Sequence, residues 1–271
     1  MKNKSISSPL VSIIMNCYNG EKYLTDSLKS VIKQKHKNWE LIFWDNCSTD
    51  NSKTIFKSFK DKRFKYFLSN THTTLYKARN LACKKAKGEF IAFIDCDDMW
   101  YQNFLSERKL FFQNNDYKFS YSNLHYYFQK SKRKKELKKN MELKSGLIYN
   151  FLAKNYLVAI SSLVIKKDLI KRKNFFNEKY NIIGDFDMVM KISKKFKAYA
   201  FQKPLLKIRI HGENFMDVNR KMFFKEFKHW FLKEKRDNYF NNNKNIFLKK
   251  LLYLYLVSLF PKFIKDFLKK K

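Results

Sequence analysis

Four short apolar runs divide the first part of the chain, and each is typical of a buried strand because it is rich in β-branched and aromatic residues. They lie at residues 10–15, 39–44, 64–68 and 89–94. Between them, apolar residues recur every three to four positions, which predicts helices over 21–35, through Ile55 and Phe59, and over 75–87. Ser48 or Asp50 is the expected N-cap of the second helix. This alternation predicts an α/β domain with a mainly parallel sheet.

The second half of the chain is less regular. Residues 157–165 are apolar enough for a further strand, and residues 205–210 alternate like another. A helix is predicted to follow Gly184, and the pattern from Arg220 onward is helical, basic and aromatic. The Lys-rich stretch at 130–144 predicts an exposed loop or a surface helix.

Polar clusters follow three of the predicted strands, at residues 16–19, 45–50 and 95–98. The carboxyl ends of parallel strands lie at one edge of a sheet, where ligands bind, so we expect these clusters to meet there. The last cluster, Asp95-Cys96-Asp97-Asp98, holds three carboxylates in four positions. One Asp would serve as a helix N-cap, two as a catalytic pair, and two or three as ligands of Mg2+ or Mn2+. The metal site is favoured, because a cation relieves the repulsion between neighbouring carboxylates.

The chain is strongly basic, with 58 Lys and Arg against 24 Asp and Glu and a formal net charge of +34. The positive residues are nearly all Lys and are spread through every segment, which is typical of a solvated surface. Attraction to anionic lipid or to a phosphorylated substrate is the second interpretation. Nucleic-acid binding is the least favoured, because the sequence has no zinc-finger spacing, helix-turn-helix signature or RNP-like string. We therefore expect no nucleic-acid partner.

The cysteines and the apolar runs bear on location. Cys17, Cys47, Cys83 and Cys96 are scattered without the spacing of a metal site. The first ten residues are polar rather than a secretory signal, so we expect a cytoplasmic protein without disulfides. The longest apolar run, residues 251–260, is too short for a membrane-spanning helix of about 20 residues.

Three segments carry a resemblance to a known family, and they read LVSIIMNCYNG, ELIFWDNCSTDNS and KARNLACKKAKGEFIAFIDCDDMW. In this order and spacing they resemble family 2 glycosyltransferases of the GT-A fold, with weaker matches in GDFD and IRIHGEN. The resemblance implies a Rossmann-like, mainly parallel sheet flanked by helices. It also implies a catalytic domain over residues 1–215, with a nucleotide-sugar half up to about residue 100 and an acceptor half after it. Residues 216–271 would form a helical, basic C-terminal extension.

The resemblance implies a metal site. Asp95 and Asp97 match the DxD motif, which holds Mn2+ or Mg2+ against the diphosphate of a nucleotide sugar. Asp97 is the principal expected ligand, and Asp98 adjoins it as a further ligand or as a helix cap. His211 resembles the late histidine that lies near the diphosphate and the metal in part of the family, its alternative being a simple turn residue.

The resemblance also implies contacts to the donor. Tyr18 matches the aromatic residue that stacks on the nucleobase, with a core tyrosine as the alternative. Asp45 and Asn46 match the pair that contacts base and ribose. Asn46 departs from the many family members with Asp there, so an amide oxygen would accept the N3–H of uracil. Arg79 resembles the basic residue near the donor, with a surface helix charge as the alternative.

Asp185 is the general base that the resemblance implies. In an inverting mechanism a carboxylate takes the proton from the acceptor hydroxyl as this hydroxyl attacks the anomeric carbon. Family members usually have Glu-Asp at this point, and the chain has Gly184-Asp185, which keeps the second acid. A helix cap is the alternative role for Asp185, and Asp187 could be a cap or a supporting residue.

Residues 246–271 mix leucines and aromatic residues with flanking lysines. Such a segment suits a helix in the interface of an anionic bilayer, which would place the protein at the inner face of the plasma membrane. A helix packed on the catalytic domain or on a second subunit explains the pattern equally well. Both interpretations stay open.

The main hypothesis is an inverting, metal-dependent glycosyltransferase of surface-polysaccharide synthesis. It would move a sugar from a nucleotide-sugar donor to a glycan or lipid-linked acceptor, and a UDP-sugar is the favoured donor. One alternative is a nucleotidyltransferase that makes nucleotide sugars, although NCYNGEKY has one glycine where such enzymes have a Gly-rich loop. The other is a non-catalytic basic protein that binds membrane or nucleic acid, against which the carboxylates at the strand ends count.

Overall fold

The computed structural model describes residues 8–137, 141–171, 175–236 and 240–259. Within these residues the strands are β1 (Val11–Cys17), β2 (Trp39–Asp45), β3 (Phe64–Leu68), β4 (Phe90–Phe93), β5 (Met99–Trp100), β6 (Tyr117–Phe128), β7 (Lys134–Glu136), β8 (Val164–Lys166) and β9 (Lys197–Ile210). The helices are α1 (Glu21–Ile32), α2 (Ser52–Ser58), α3 (Leu75–Cys83), α4 (Lys109–Gln113), α5 (Tyr149–Lys154), α6 (Gly184–Lys195), α7 (Phe215–Val218), α8 (Arg220–Arg236) and α9 (Lys244–Leu259). The strands form one sheet in the order β3-β2-β1-β4-β8-β6-β9-β5, and β7 pairs with β6 beside this path.

The first half is the parallel sheet that the sequence predicts. β1 pairs in parallel with β2 and β4, and β2 pairs in parallel with β3. The predicted cap of α2 is wrong, because the helix begins after Asn51. Asp50 instead accepts hydrogen bonds from the backbone N–H of Glu21 at 2.9 Å and of Ser52 at 3.0 Å, which ties α1 to α2. The carboxyl ends of β1, β2 and β4 lie at one edge of the sheet.

The strand predicted over residues 157–165 is mostly wrong. Only Val164–Lys166 is a strand, and it pairs antiparallel with β4 and β6. A 3-10 turn, Ile160–Ser162, precedes it. The turn forms because the Ser162 hydroxyl donates to the Ala159 carbonyl at 2.7 Å, a local hydrogen bond that competes with strand pairing.

The remaining strands are longer than the sequence pattern indicates. The strand predicted over residues 205–210 is the end of β9, whose first half is more polar and begins at Lys197. β9 pairs in parallel with β6. The Lys-rich stretch at 130–144 contains the short strand β7, which forms a hairpin with β6, and residues 138–140 lie outside the described ranges.

The helices cover two separate cores on the faces of the sheet. The predicted helical C-terminal extension is confirmed for the described residues up to Leu259, where it packs on α6, and residues 237–239 and 260–271 lie outside the described ranges. The Trp230 ring of α8 is fully buried and lies 4.8 Å from the Phe186 ring of α6 and 5.2 Å from the Phe247 ring of α9. The domain boundary at residue 215 stays a prediction. In the part of the chain that the structure describes, no helix combines the length and apolarity needed to cross a bilayer.

Candidate active site

Asp95 follows β4 and forms an ion pair with α3. Its Oδ1 accepts a hydrogen bond from Arg79 Nη2 at 2.8 Å. The Arg79 side chain is only 3% exposed, whereas that of Asp95 is 39% exposed. Burial raises the pKa of Asp95, Arg79 opposes the rise, and Asp97 and Asp185 add to it. Arg79 therefore compensates part of the negative charge at this edge and leaves Asp95 open to solvent on one side.

Asp97 is joined to the end of β9. Its Oδ2 lies 3.2 Å from His211 Nε2, and its backbone carbonyl accepts from Arg209 Nε at 2.9 Å. His211 Nδ1 accepts from the Glu213 backbone N–H at 3.3 Å, a contact that favours the tautomer in which Nε2 donates a hydrogen bond to Asp97. The sequence placed Asp97 and His211 in one site on the resemblance alone, and the structure brings them into contact.

Asp98 is turned into the protein and is 4% exposed. Its Oδ2 accepts from the Ser161 hydroxyl at 2.6 Å, and its Oδ1 accepts from the Arg209 backbone N–H at 3.1 Å. The Ser161 hydroxyl also accepts from the Asp95 backbone N–H at 3.0 Å. Burial raises the pKa of Asp98, and the nearby Asp97 and Asp95 raise it further. Asp98 thus ties the end of β4 to β9 and to the 3-10 turn.

Asp185 lies in the first turn of α6 and faces α3. Its Oδ1 accepts from the Tyr76 hydroxyl at 2.9 Å and from the Phe186 backbone N–H at 2.7 Å. Burial raises the pKa of Asp185, while Arg79 and the Tyr76 hydrogen bond lower it. A Cβ atom at Gly184 would lie 2.4 Å from the Tyr76 ring, so glycine is needed here because the ring occupies that space. This contact accounts for the Gly-Asp pair in place of Glu-Asp.

The loop that leads into Asp185 is held by the C-terminal extension. Glu226 of α8 accepts hydrogen bonds from three successive backbone N–H groups, those of Asn181 at 2.7 Å, Ile182 at 2.9 Å and Ile183 at 3.1 Å. Ile183 is the N-cap of α6 and has no side-chain cap of its own. A carboxylate at a helix N-terminus pairs with the unsatisfied N–H groups and with the positive end of the helix dipole. Glu226 therefore fixes the start of the helix that carries Asp185.

Tyr18 directly follows the end of β1 and is exposed. Its side chain is 51% exposed, and its ring lies 4.1 Å from the His72 ring between centroids. His72 Nδ1 is within 3.0 Å of the Asn46 carbonyl, which positions the imidazole. Tyr18 and His72 together present an exposed aromatic surface on which a flat base could stack.

Asp45 and Asn46 end β2 and are buried, with both side chains hydrogen-bonded within the protein. Asp45 accepts from the Ser48 backbone N–H at 2.7 Å and from the Tyr66 hydroxyl at 2.6 Å. The Asn46 amide donates to the Thr73 carbonyl at 2.8 Å and accepts from the Thr73 hydroxyl at 3.1 Å. These contacts shape the loops after β2 and β3, and a nucleoside would have to share or replace them.

Sequence reasoning missed five residues of this site, namely His72, Tyr76, Ser161, Arg209 and Glu226. Arg209 had a visible signal, because it stands two positions before His211 in an alternating strand. Glu226 is an acid within a Lys-rich helix, which is unusual but does not indicate a partner. The other three had no signal, since their partners are distant in the chain.

The residues present fit a hard divalent cation. Within the described ranges, no three His, Cys, Asp or Glu side chains are grouped to hold a metal ion on their own. Mg2+ or Mn2+ needs only one or two protein carboxylates when phosphate and water fill the other positions. Asp97 and Asp95 would be available for this role, because their side chains are partly exposed, at 29% and 39%. The site therefore suits a cation that is shared with a phosphorylated ligand.

Comparisons with known proteins agree with this geometry. The sequence model described as Glycosyl transferase family 2 matches residues 12–186. An uncharacterized glycosyltransferase of Rickettsia conorii is 30% identical over 223 residues, which cover 81% of this chain and 36% of that protein. The Escherichia coli UDP-Glc:alpha-D-GlcNAc-diphosphoundecaprenol beta-1,3-glucosyltransferase WfgD is 34% identical over 166 residues, which cover 61% of this chain and 64% of that protein. The chain thus spans about a third of the first relative and less than two thirds of the second.

Two solved structures share the fold. Staphylococcus aureus TarS 1-349 in complex with UDP-GlcNAc has a TM-score of 0.70 at 19% identity, covering 91% of this chain and 72% of that one. The mannosyltransferase PcManGT of Pyrobaculum calidifontis, in complex with GDP-Man and Mn2+, has a TM-score of 0.65 at 15% identity, covering 93% and 71%. The family match argues against the two alternative hypotheses. The chain belongs to glycosyltransferase family 2 and has the GT-A fold.

Proposed function

We propose that this enzyme is an inverting, metal-dependent glycosyltransferase that uses a UDP-sugar and a glycan or lipid-linked acceptor. One observation carries the proposal, namely that α3 contacts both parts of the site with two side chains one turn apart. Arg79 binds Asp95, next to Asp97, and Tyr76 binds Asp185. Helix α3 thus contacts both the carboxylates proposed to bind the metal and the diphosphate and the carboxylate proposed to deprotonate the acceptor.

Asp185 is the proposed general base. Its Oδ1 already accepts two hydrogen bonds, and among the described residues none reaches its Oδ2. The acceptor oxygen would attack the anomeric carbon while the bond to the diphosphate breaks, and Asp185 would take the acceptor proton in that step. Attack from the face opposite the leaving group inverts the anomeric configuration.

Asp97 and Asp95 are the proposed ligands of Mn2+ or Mg2+, with Asp97 the principal one. When bound, the cation supplies Lewis-acid neutralisation of the departing nucleoside diphosphate. His211 could join the ligands only after losing its Nε2 proton, so in this arrangement it orients Asp97. Both oxygens of Asp98 accept hydrogen bonds from the protein, so a positioning role suits Asp98 better than a ligand role.

The donor is proposed to be a UDP-sugar. Tyr18, with His72 beside it, would stack on the base, and Asp45 and Asn46 would hold the nucleoside through the loops that they shape. The E. coli relative is named as an enzyme of UDP-Glc, and the S. aureus neighbour holds UDP-GlcNAc. The fold alone does not select the nucleotide, because the P. calidifontis neighbour holds GDP-Man.

The acceptor is proposed to be a glycan or a lipid-linked sugar of surface-polysaccharide synthesis. The E. coli relative WfgD is named for GlcNAc-diphosphoundecaprenol, a sugar on a lipid diphosphate. Such an acceptor would place the enzyme in the cytoplasm at the inner face of the plasma membrane, in peripheral contact with anionic lipid. Nucleic acid is not a proposed partner.

A thermal-stability screen of nucleotide sugars tests the donor assignment. A ligand that binds the native state raises the melting temperature, so a UDP-sugar with Mn2+ is expected to stabilise the protein most. Asp97→Asn should remove the part of the stabilisation that requires Mn2+. Larger stabilisation by GDP-sugars or dTDP-sugars than by any UDP-sugar would overturn the choice of UDP.

Tyr76→Phe is expected to shift the acid limb of the pH–rate profile to higher pH. Burial raises the pKa of Asp185, and the Tyr76 hydrogen bond lowers it, so losing that bond raises the pKa further. The base works only when ionised, so activity should be lost at a higher pH than in the wild type. The measurement is kcat/KM between about pH 5 and pH 9. Tyr121→Phe is the matched control, because that buried hydroxyl donates to the Lys144 carbonyl away from the site.

Glu226→Gln is expected to lower kcat about tenfold with little change in the KM for the donor, because it loosens the loop before Asp185. The measurement is steady-state kinetics with a melting curve for each variant. Glu234→Gln is the matched control, since Glu234 is another acid of α8, two turns farther along the helix and 3% exposed. Equal losses in the two variants would show that Glu226 contributes to stability only.

A further inference from the structure

The C-terminal helix α9 has two different faces. Phe247 and Leu254 are buried against the protein. The opposite face is apolar and exposed, with Leu248 at 40%, Leu252 at 56%, Tyr255 at 45%, Leu256 at 49% and Leu259 at 49%. These five residues, which we call the α9 stripe, fall within about 100° around the helix axis and therefore lie on one side of the helix. A contiguous exposed apolar surface of this kind marks an interaction site.

A row of lysines lies beside the α9 stripe. Helix α8 exposes lysines at a helical spacing, namely Lys221, Lys225, Lys228 and Lys235. The Phe224 ring of α8 lies 5.3 Å from the Tyr255 ring of the stripe, so the two helices meet at this edge. Lys221 and Lys228 stand one turn before and one turn after Phe224 on α8. The lysines therefore border the α9 stripe along one side.

The chemistry of this surface favours a lipid bilayer over a second copy of the chain. A leucine stripe bordered by lysines matches the acyl boundary and the anionic headgroups of a membrane interface. If two copies met through the α9 stripe, their lysine rows would face each other and their formal net charges of +34 would repel. An anionic bilayer instead attracts both the row and the whole chain.

We infer that the α9 stripe and the lysine row of α8 form the surface through which the enzyme binds an anionic phospholipid bilayer. The inference rests on the proposed function, since it explains how the site would meet a lipid-linked acceptor. On its buried side, α9 places Lys250 Nζ 5.1 Å from the centre of the Phe186 ring, next to Asp185. The membrane surface and the helix of the proposed base are thus separated by about one helix diameter, roughly 10 Å.

Vesicle sedimentation tests the inference with the full chain and without donor or acceptor. The wild type is expected to bind phosphatidylcholine vesicles that contain phosphatidylglycerol, to bind pure phosphatidylcholine weakly, and to dissociate at high salt. Leu252→Ser with Leu256→Ser should weaken binding about tenfold or more for each leucine. Lys221→Ser with Lys228→Ser should weaken it about fivefold for each lysine.

The controls change the same residue types elsewhere on the surface. Leu110→Ser with Leu147→Ser removes leucines that are 62% and 66% exposed, and Lys53→Ser with Lys62→Ser removes exposed lysines of the first half. These variants should bind vesicles like the wild type, and every variant should keep its melting temperature and its donor hydrolysis in solution.

Two outcomes would overturn the inference. One is equal vesicle binding by the wild type and the stripe variants. The other is a dimer that the leucine substitutions dissociate, without vesicle binding by the wild type. If the protein bound vesicles but used no UDP-sugar, the proposed function would be contradicted and the membrane-binding surface would still be supported. The failure of the inference and the failure of the proposed function are therefore distinguishable.

Discussion

Asp185→Asn is expected to lower kcat by about two to four orders of magnitude and to leave the affinity for the donor nearly unchanged. The amide keeps the size of the carboxylate but cannot take the proton of the acceptor hydroxyl. Donor affinity should persist because the residues proposed to hold the donor lie at the ends of β1, β2 and β4 rather than on α6. The measurement is transfer kinetics at saturating acceptor, together with calorimetric titration of the donor.

Asp187→Asn is the matched control for this prediction. Asp187 is in the same helix, two residues on, and is 1% exposed, with an ion pair of 2.7 Å to Lys191. Its substitution is expected to lower the melting temperature while kcat stays within about threefold of the wild type. Activity of Asp185→Asn within about tenfold of the wild type would assign the proton transfer to another group.

Asp97→Asn is expected to remove the metal dependence of donor binding and to lower activity about a hundredfold or more. Asn has a single oxygen and no charge, so it is a poor ligand for a hard cation. Titration of the donor with and without Mn2+ should give two different affinities for the wild type and one for the variant.

Asp98→Asn tests whether Asp98, at the same strand end, is a metal ligand or a positioning residue. Asn can accept only one of the hydrogen bonds that Ser161 and Arg209 now donate to Asp98, so we expect a lower melting temperature. The effect of Mn2+ on donor affinity should survive in this variant. Loss of the Mn2+ effect in Asp98→Asn but not in Asp97→Asn would show that Asp98 is the metal ligand and Asp97 the positioning residue.

The parallel half of the sheet and several site residues could be predicted because their signals are local. A run of apolar residues followed by carboxylates marks a strand end, and this pattern in the sequence indicates Asp45, Asp95 and Asp97. Parallel topology then brings these strand ends together. The pairing of Asp97 with His211 and the location of Asp185 came from the resemblance to a family.

The contacts that hold the site could not be predicted, because they join residues far apart in the chain. Arg209 reaches the Asp97 carbonyl across 112 positions, Ser161 reaches Asp98 across 63, and Glu226 reaches Asn181 across 45. No periodicity or local motif records such a pairing. β6 escaped prediction for another reason, since its buried positions include polar residues such as Ser120, which is fully buried.

Release of UDP from a UDP-sugar in the presence of an acceptor tests the central claim most directly. It should be measured for the wild type, Asp97→Asn and Asp185→Asn, each with Mn2+ and with a chelator. The account predicts rapid release only for the wild type with Mn2+, with both variants and every chelated sample strongly reduced. Equal, metal-independent turnover in all three proteins would contradict it.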